Sequence, residues 1–357
     1  MWEVHLGEFA MRVATVLLII GLCLPVGMVS GAASQKKRDA SGSGIGENSP
    51  FSNRLRQAKK NADQDAPKGQ AQISVAVDLV NLQVLVTDKK GNILTGLRPE
   101  NFTIYEDNVK QEISHFAPIE AGITSVMLVD FSKVVDWFIE DVWNSIYGFA
   151  ASLRPGDWVA VIGYDMRPTI LTDFTQNRNT LMEALSRFNT PAFSESNLSD
   201  ALIFTLDRVE EIEGKVAVLL VSTGLDTFSR YNYDDALNKC KSSNASIFAI
   251  SVGQSVRLRY NLDNIEWLMA DNRLRSVADL TGGEAFFPRF PTELPDVFKN
   301  ISNMLRNQYS MAYASSNTKR DGKYRKIRVE VKADINGDGK PDDLKIRTRQ
   351  GYQSRDK

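Results

Sequence analysis

The chain has 357 residues, 43% of them hydrophobic and 24% charged, enough apolar material for two ordinary domains with cores of their own. Its 43 Lys and Arg against 44 Asp and Glu leave no basic excess of the kind that holds nucleic acid. Of the two cysteines, Cys23 falls in the leader described next, so the mature chain is expected to hold one thiol, Cys240, and no internal disulfide, while two histidines offer little for a zinc site or a histidine general base.

Arg12 precedes an apolar run from Val13 to Leu24, Pro25 breaks it, and Ser30-Gly31-Ala32-Ala33 follow. This is the order of a secretory signal peptide over residues 1–33, which predicts an exported protein, periplasmic or extracellular. The alternative is an uncut membrane anchor over residues 13–29, at the short limit for a span and the only route to a membrane in this chain. Residues 34–72 are Ser, Gly, Lys, Asp, Asn and Gln with hardly an aliphatic cluster, too little apolar area to repay ordering, and are expected to be a disordered linker.

Residues 73–118 read as an N-terminal β segment. Ile73, Val75, Val77 and Leu79 alternate, and the phase then slips at Asn81 before Leu82, Val84 and Val86 resume it, which predicts a bulge or corner there. Asp88-Lys89-Lys90-Gly91-Asn92 predicts a hairpin turn, and Phe102 to Tyr105 a strand that ends in a turn at Glu106-Asp107-Asn108.

The stretch Ile123 to Ser132 (ITSVMLVDFS) is β-branched and apolar until it ends in Asp130 and Ser132, the pattern of a strand buried on both faces of a parallel sheet. In open α/β sheets the functional crevice lies beyond the carboxyl ends of the strands, where these two residues fall. A helical pattern from Val135 to Leu153 follows, stopped by Arg154-Pro155-Gly156. Trp158–Tyr164 and Thr169–Phe174 are expected strands, hinged about Met166-Arg167-Pro168. Lys215–Ser222, Ala245–Val252 and Ala285–Phe287 are further strands. Thr180–Phe188, Leu198–Ile212, Tyr233–Ser242, Ile265–Leu280 and Leu294–Arg306 are expected helices. Gly253, Gly282 and Gly283 read as turn and helix-stop residues. The tail returns to alternating strands at Tyr309–Tyr313, Ile327–Val331 and Leu344–Thr348.

This order resembles a von Willebrand factor type A domain over about Ile123 to Arg306, with domain limits of 119–307. The flanks are similar to the VWFA-related family of secreted, Acidobacteria-type bacterial proteins. There a motif like GLRPENFTIYEDNVKQEI, here Gly96 to Ile113, precedes the A domain, and a terminal Arg-x-Gly-Tyr, here Arg349, Gly351 and Tyr352, follows it. The expected fold class is therefore α/β, a doubly wound, mostly parallel, Rossmann-like sheet. It is inserted in or flanked by a small all-β sandwich in which residues 308–357 pack with residues 73–118.

The resemblance implies a metal-ion-dependent adhesion site, in which DxSxS, a Thr and an Asp hold Mg²⁺ and leave one position for an acidic residue of the partner. Asp130 and Ser132 match the first two positions, and Val134 replaces the second serine. Ser196 fills the Thr position, four residues before Asp200-Ala201-Leu202, and Thr223 replaces the last Asp. This is a degenerate site with weak or absent Mg²⁺ unless Asp226 or Glu195 compensates. In the other reading, Asp130 only caps a helix or bonds loop amides.

Asp334, Asn336, Asp338 and Asp342 stand at positions 1, 3, 5 and 9 of a loop with Gly339 at position 6, the spacing of a calcium loop. Lys345 occupies the twelfth position, where a bidentate Glu belongs, although Asp343 could add a carboxylate. The competing reading is an Asx- and Gly-rich turn. Cys240, between Lys239 and Lys241 on a helix, is either a reactive thiol or a plain helix-face cysteine. No GxSxG, Walker loop, HExxH or CxxC occurs. The function expected is an exported, non-catalytic, adhesion-type module for an unidentified protein partner. A metal-independent scaffold of the cell envelope is the alternative, and an enzyme or redox protein using Asp130, Ser132 or Cys240 is the less supported one.

Overall fold

β5 (Ile123–Asp130) is buried at every residue because its neighbours in the sheet and the helices on both faces leave no side facing water. In the computed structural model, which describes residues 79–117, 122–186, 193–262 and 265–356, it lies at the heart of a six-stranded sheet. The order is β10-β9-β8-β5-β6-β7, with β6 (Trp158–Tyr164), β7 (Pro168–Thr175), β8 (Lys215–Ser222), β9 (Ser246–Ser251) and β10 (Ala285–Phe286). All pairings are parallel except β6 with β7.

Helices cover both faces. α1 (Ile139–Ala151) and α7 (Leu294–Arg306) pack on one side, around Met127, Phe138, Ile146, Phe248 and Phe298. α3 (Leu198–Val209), α4 (Tyr233–Ser242) and α6 (Ile265–Thr281) pack on the other, around Leu128, Leu202, Leu206, Ile247 and Leu274. α2 (Arg178–Ser186) lies beside the edge strand β7. α5 (Gly253–Tyr260) was not expected: Gly253 opens a helix rather than ending a strand in a turn. The helical pattern after β5 also starts as a 3-10 turn over Lys133–Phe138 before α1 begins.

The flanking strands form two four-stranded sheets, β13-β1-β11-β4 and β14-β12-β2-β3. In the first, β1 (Leu79–Thr87) lies between β11 (Tyr309–Ala314) and β13 (Lys345–Arg347), and β4 (Ile113–Ala117) pairs with β11. In the second, β12 (Tyr324–Val331) lies between β2 (Phe102–Glu106) and β14 (Gly351–Gln353), and β3 (Val109–Gln111) pairs with β2. Val80, Leu82, Val84, Phe102, Ile104, Tyr309, Met311 and Tyr313 fill the space between them. The A-type sheet is thus flanked by an all-β sandwich to which both ends of the described chain contribute.

Two local expectations need correction. β1 runs through Asn81 without a register break. The slip in the sequence arises because Leu79 is 58% exposed while Val80 is buried, so the apolar phase begins one residue later. Glu106 belongs to β2 and is 2% exposed, so the turn begins at Asp107 and Asn108, both with positive φ. The leader over 1–33, the whole linker over 34–72 and residues 73–78 lie outside the described residues. No helix among the described residues is long and apolar enough to cross a membrane.

The chain enters and leaves the central sheet at one buried knot. Asp157 accepts from Ile123 N and Arg154 N and pairs with Arg306 through both carboxylate oxygens. The paired charge and the amides hold its carboxyl below the usual range although burial acts to raise it.

Candidate functional site

Strand ends at the carboxyl edge of a parallel sheet carry their side chains past the last ladder bond, so β5, β6 and β8 deliver Asp130, Tyr164 and Ser222-Thr223 to one place. Asp130 is 2% exposed. Its Oδ1 accepts from Ser132 N at 2.9 Å. Its Oδ2 accepts from Ser196 Oγ at 3.1 Å, Thr223 Oγ1 at 3.0 Å and Thr223 N at 3.3 Å. Burial pushes the Asp130 carboxyl above its ordinary range, and the bonds from Ser132 and Thr223 oppose that. Asp130, Ser132 and Ser196 therefore do come together, with Thr223 as a fourth member.

Tyr164 and Ser222 belong to the same cluster and were not singled out from the sequence. Tyr164 OH donates to Ser222 Oγ at 2.7 Å, and Ser222 Oγ also accepts from Gly224 N at 2.9 Å. Burial, with Asp130 nearby, drives the Tyr164 phenol well above its usual range. The one available signal was position, a Tyr and a Ser each closing an apolar strand. Gly224, at φ +78, turns the chain here, and a Cβ on it would lie 2.6 Å from Ala270 O.

Of the two compensating carboxylates, Asp226 is engaged outside the cluster. Asp226 accepts from Ser199 N and Ser199 Oγ at the start of α3 and from Ser229 Oγ, the work of a helix-end acceptor. Glu195 is half-buried in the same loop. Val134 packs against the core. Mg²⁺ asks for octahedral oxygens and gives up its waters reluctantly. One buried carboxylate whose two oxygens already accept four protein hydrogen bonds fits that requirement poorly.

Above this floor the loops are sewn together. Asn197 Nδ2 donates to Met166 O and Phe228 O, Asn197 Oδ1 accepts from Phe228 N, and Thr227 N donates to Ser196 O. Their apolar side chains point the other way, with Met166 38%, Phe193 49% and Phe228 69% exposed.

The other candidate residues lie apart from this site. In the Asp334–Asp343 loop, Asp334 accepts from Gly337 N, Asp338 N and Gly339 N, Asp338 from Lys340 N, and Asp342 from Ile335 N and Asn336 Nδ2. Asp343 pairs with Lys89. Among the described residues no group of three His, Cys, Asp or Glu side chains is arranged to hold a metal ion. Cys240 is 2% exposed and burial pushes its thiol up to about 12, the condition of an inert core cysteine.

A mostly parallel sheet with helices on both faces and a buried cluster of hydroxyls around Asp130 at its carboxyl edge defines an open α/β domain. Residues 123–278 match the family model of the von Willebrand factor type A domain, and this chain carries such a domain. Solved structures similar to it include a von Willebrand factor type A protein from Catenulispora acidiphila, at 11% identity and TM-score 0.44 over 70% of this chain and 73% of that one. Another is the vWF domain of the type V pili tip protein Mfa5 from Porphyromonas gingivalis, at 15% and 0.42 over 52% and 95%. A third is an aerotolerance-related membrane protein from Bacteroides fragilis, at 13% and 0.42 over 52% and 98%. No curated protein matches the chain.

Proposed function

We propose that this chain is an exported, non-catalytic, adhesion-type interaction module that engages a protein partner through the rim of its A domain without a divalent ion. The observation that supports it is the contrast between floor and rim. Asp130 is spent on internal hydrogen bonds, while Met166, Phe193 and Phe228 face solvent, as the apolar anchors of a protein contact do. The leader read from residues 1–33 supports export. The test is retention of envelope proteins on the immobilised chain with EDTA or with Mg²⁺. Retention should survive EDTA and Asp130→Asn, and Phe193→Asp with Phe228→Asp should reduce it at least about tenfold, the loss of an anchor worth about 1.4 kcal/mol. Retention that needs Mg²⁺ and disappears in Asp130→Asn would return the site to the metal-dependent class. No retention in either buffer would favour the envelope scaffold.

Calcium at Asp334, Asn336, Asp338 and Asp342 is proposed as a separate and weaker binding event, supported by the loop spacing alone. Lacking the bidentate twelfth ligand, it is expected at a Kd of roughly 10⁻⁴ to 10⁻³ M. Millimolar calcium should raise the thermal midpoint, and Asp338→Ala should abolish the rise. An unchanged wild-type midpoint reduces the loop to a turn held by its own Asx bonds.

A further inference from the structure

One carboxylate ties three segments of the rim. Ser132 N comes from the turn after β5, Ser196 Oγ from the loop into α3, and Thr223 N and Oγ1 from the turn after β8, and all four donate to Asp130. A carboxylate offers about four lone-pair positions, so donors of the protein itself fill it. These donors are held from behind. Thr223 Oγ1 also accepts from Leu225 N at 3.3 Å. Ser196 N donates to Thr227 Oγ1 at 2.9 Å, and Ser196 O accepts from Thr227 N at 2.9 Å. Val134, half-buried, packs on the core at the position of the adhesion pattern's second serine.

The ties continue outward to the exposed side chains. Lys133, next to Ser132, donates its N to Phe193 O at 2.9 Å. Asn197, next to Ser196, holds the backbone of Met166 and of Phe228. The places of Met166, Phe193 and Phe228 are thus set through the segments that Asp130 joins. A buried carboxylate must have its charge met, and here hydroxyls and amides meet it where a second carboxylate, the last Asp of the adhesion pattern, would repel it.

We infer that Thr223 is the positioning residue of the rim: by clasping Asp130 it holds the three segments in one arrangement and, with Val134, closes the site to divalent metal. The inference rests on the reading of a metal-free rim and adds how that rim keeps its shape. The contact surface stands assembled before a partner arrives, and its shape does not change with the supply of Mg²⁺. A preorganised surface of this kind loses little conformational entropy on association.

Hydrogen exchange of the full chain over residues 131–138, 193–197 and 223–231, in EDTA and in Mg²⁺, tests it together with calorimetric titration of Mg²⁺ and Mn²⁺. The wild type should exchange alike in both buffers and give no binding heat. Thr223→Val keeps the shape of the side chain and removes its donor, and should speed exchange in all three segments at least about tenfold. Thr223→Ser, which returns the hydroxyl, should restore the wild-type rate, and exchange along β2 and β12 should be unchanged in both variants. Val134→Ser with Thr223→Asp should gain heat on Mn²⁺ titration, a change that a residue merely filling space would not bring. Asp130→Asn serves as the metal control, since the hydroxyls of Ser196 and Thr223 accept as well as donate and keep the segments tied. Exchange in Thr223→Val within about threefold of the wild type overturns the inference and leaves the metal-free reading standing. A folded double variant that takes up no Mn²⁺ overturns the role of Thr223 and Val134 in closing the site. A wild type whose exchange slows in Mg²⁺, with a heat that Asp130→Asn abolishes, overturns both the inference and the reading beneath it.

Discussion

Glu106→Ala should destabilise the β-sandwich by about 3–5 kcal/mol, the cost of leaving a buried charge without its partner. Glu106 and Arg325 are 2% and 4% exposed at the side chain and lie 3.3 Å apart. The carboxylate also accepts from Tyr313 OH at 2.8 Å, Ser315 Oγ at 2.6 Å and Tyr352 OH at 3.1 Å. These donors come from β11, the loop after it, β12 and β14, so one side chain on β2 gathers both sheets. Burial and the neighbouring Glu106 charge drive the Tyr313 phenol far above its usual range, so that hydroxyl remains a donor at any ordinary pH. Removing the carboxylate takes from the guanidinium its nearest charged partner and from two phenols their acceptor, and leaves Arg325 with Asn317 O, Lys319 O and the more distant Asp321. Urea unfolding followed by hydrogen exchange at Ile104, Val329 and Tyr313 measures the loss where it falls. Glu106→Gln with Arg325→Met, which removes both charges, should recover most of it. A cost for Glu106→Ala below about 1 kcal/mol would mean that the pair is screened like a surface one.

The central sheet was legible because its strands are long apolar runs whose fate does not depend on distant partners. β5, β8 and β9 are buried throughout, and no other element accommodates such β-branched stretches. α5 was not legible. It opens on Gly253, carries Arg257 and Arg259, and buries Ser255 with Val256, so it shows no apolar stripe, and the charge of Arg257 is met by Asp271 from another helix. Asn81 misled for the opposite reason: an apolar Leu79 stands in water and makes a continuous strand look broken. At the site, the hydroxyls and carboxylate were visible one by one, while the Tyr164–Ser222 bond spans 58 residues and a tyrosine ending a buried strand reads as core. Glu106 hid in the same way, its partners lying 207 to 246 residues further along and its own neighbourhood spelling a turn.

Deleting Tyr309 to Lys357 should unfold residues 79–117 and leave the A domain folded. The deletion takes β11 and β13 from either side of β1, β11 from β4 and β12 from β2. What remains is β1 and β4 without a neighbour and the β2–β3 ribbon, below the three packed strands that stand alone in water. It also removes Tyr309, Met311, Tyr313, Ile327, Val329 and Val331 from the sandwich core. At roughly 1.5–3 kcal/mol for each buried side chain, that is on the order of 10 kcal/mol, comparable with the whole stability of a domain of this size. The A domain keeps its six strands and seven described helices. It loses at the junction the bonds of Arg349 to Asn244 and Lys241, of Arg347 to Glu284 and of Gln350 to Leu280, all at its periphery. Asp157, Arg306 and Lys215 remain to close the entry and exit of its chain. Limited proteolysis with hydrogen exchange should show rapid cleavage between residues 79 and 117 and wild-type protection along β5 and β8. Protection that persists in the first segment would show that it does not depend on the C-terminal strands. Collapse of β5 and β8 along with it would show that the sandwich, rather than the two helix-covered cores, sustains the A domain.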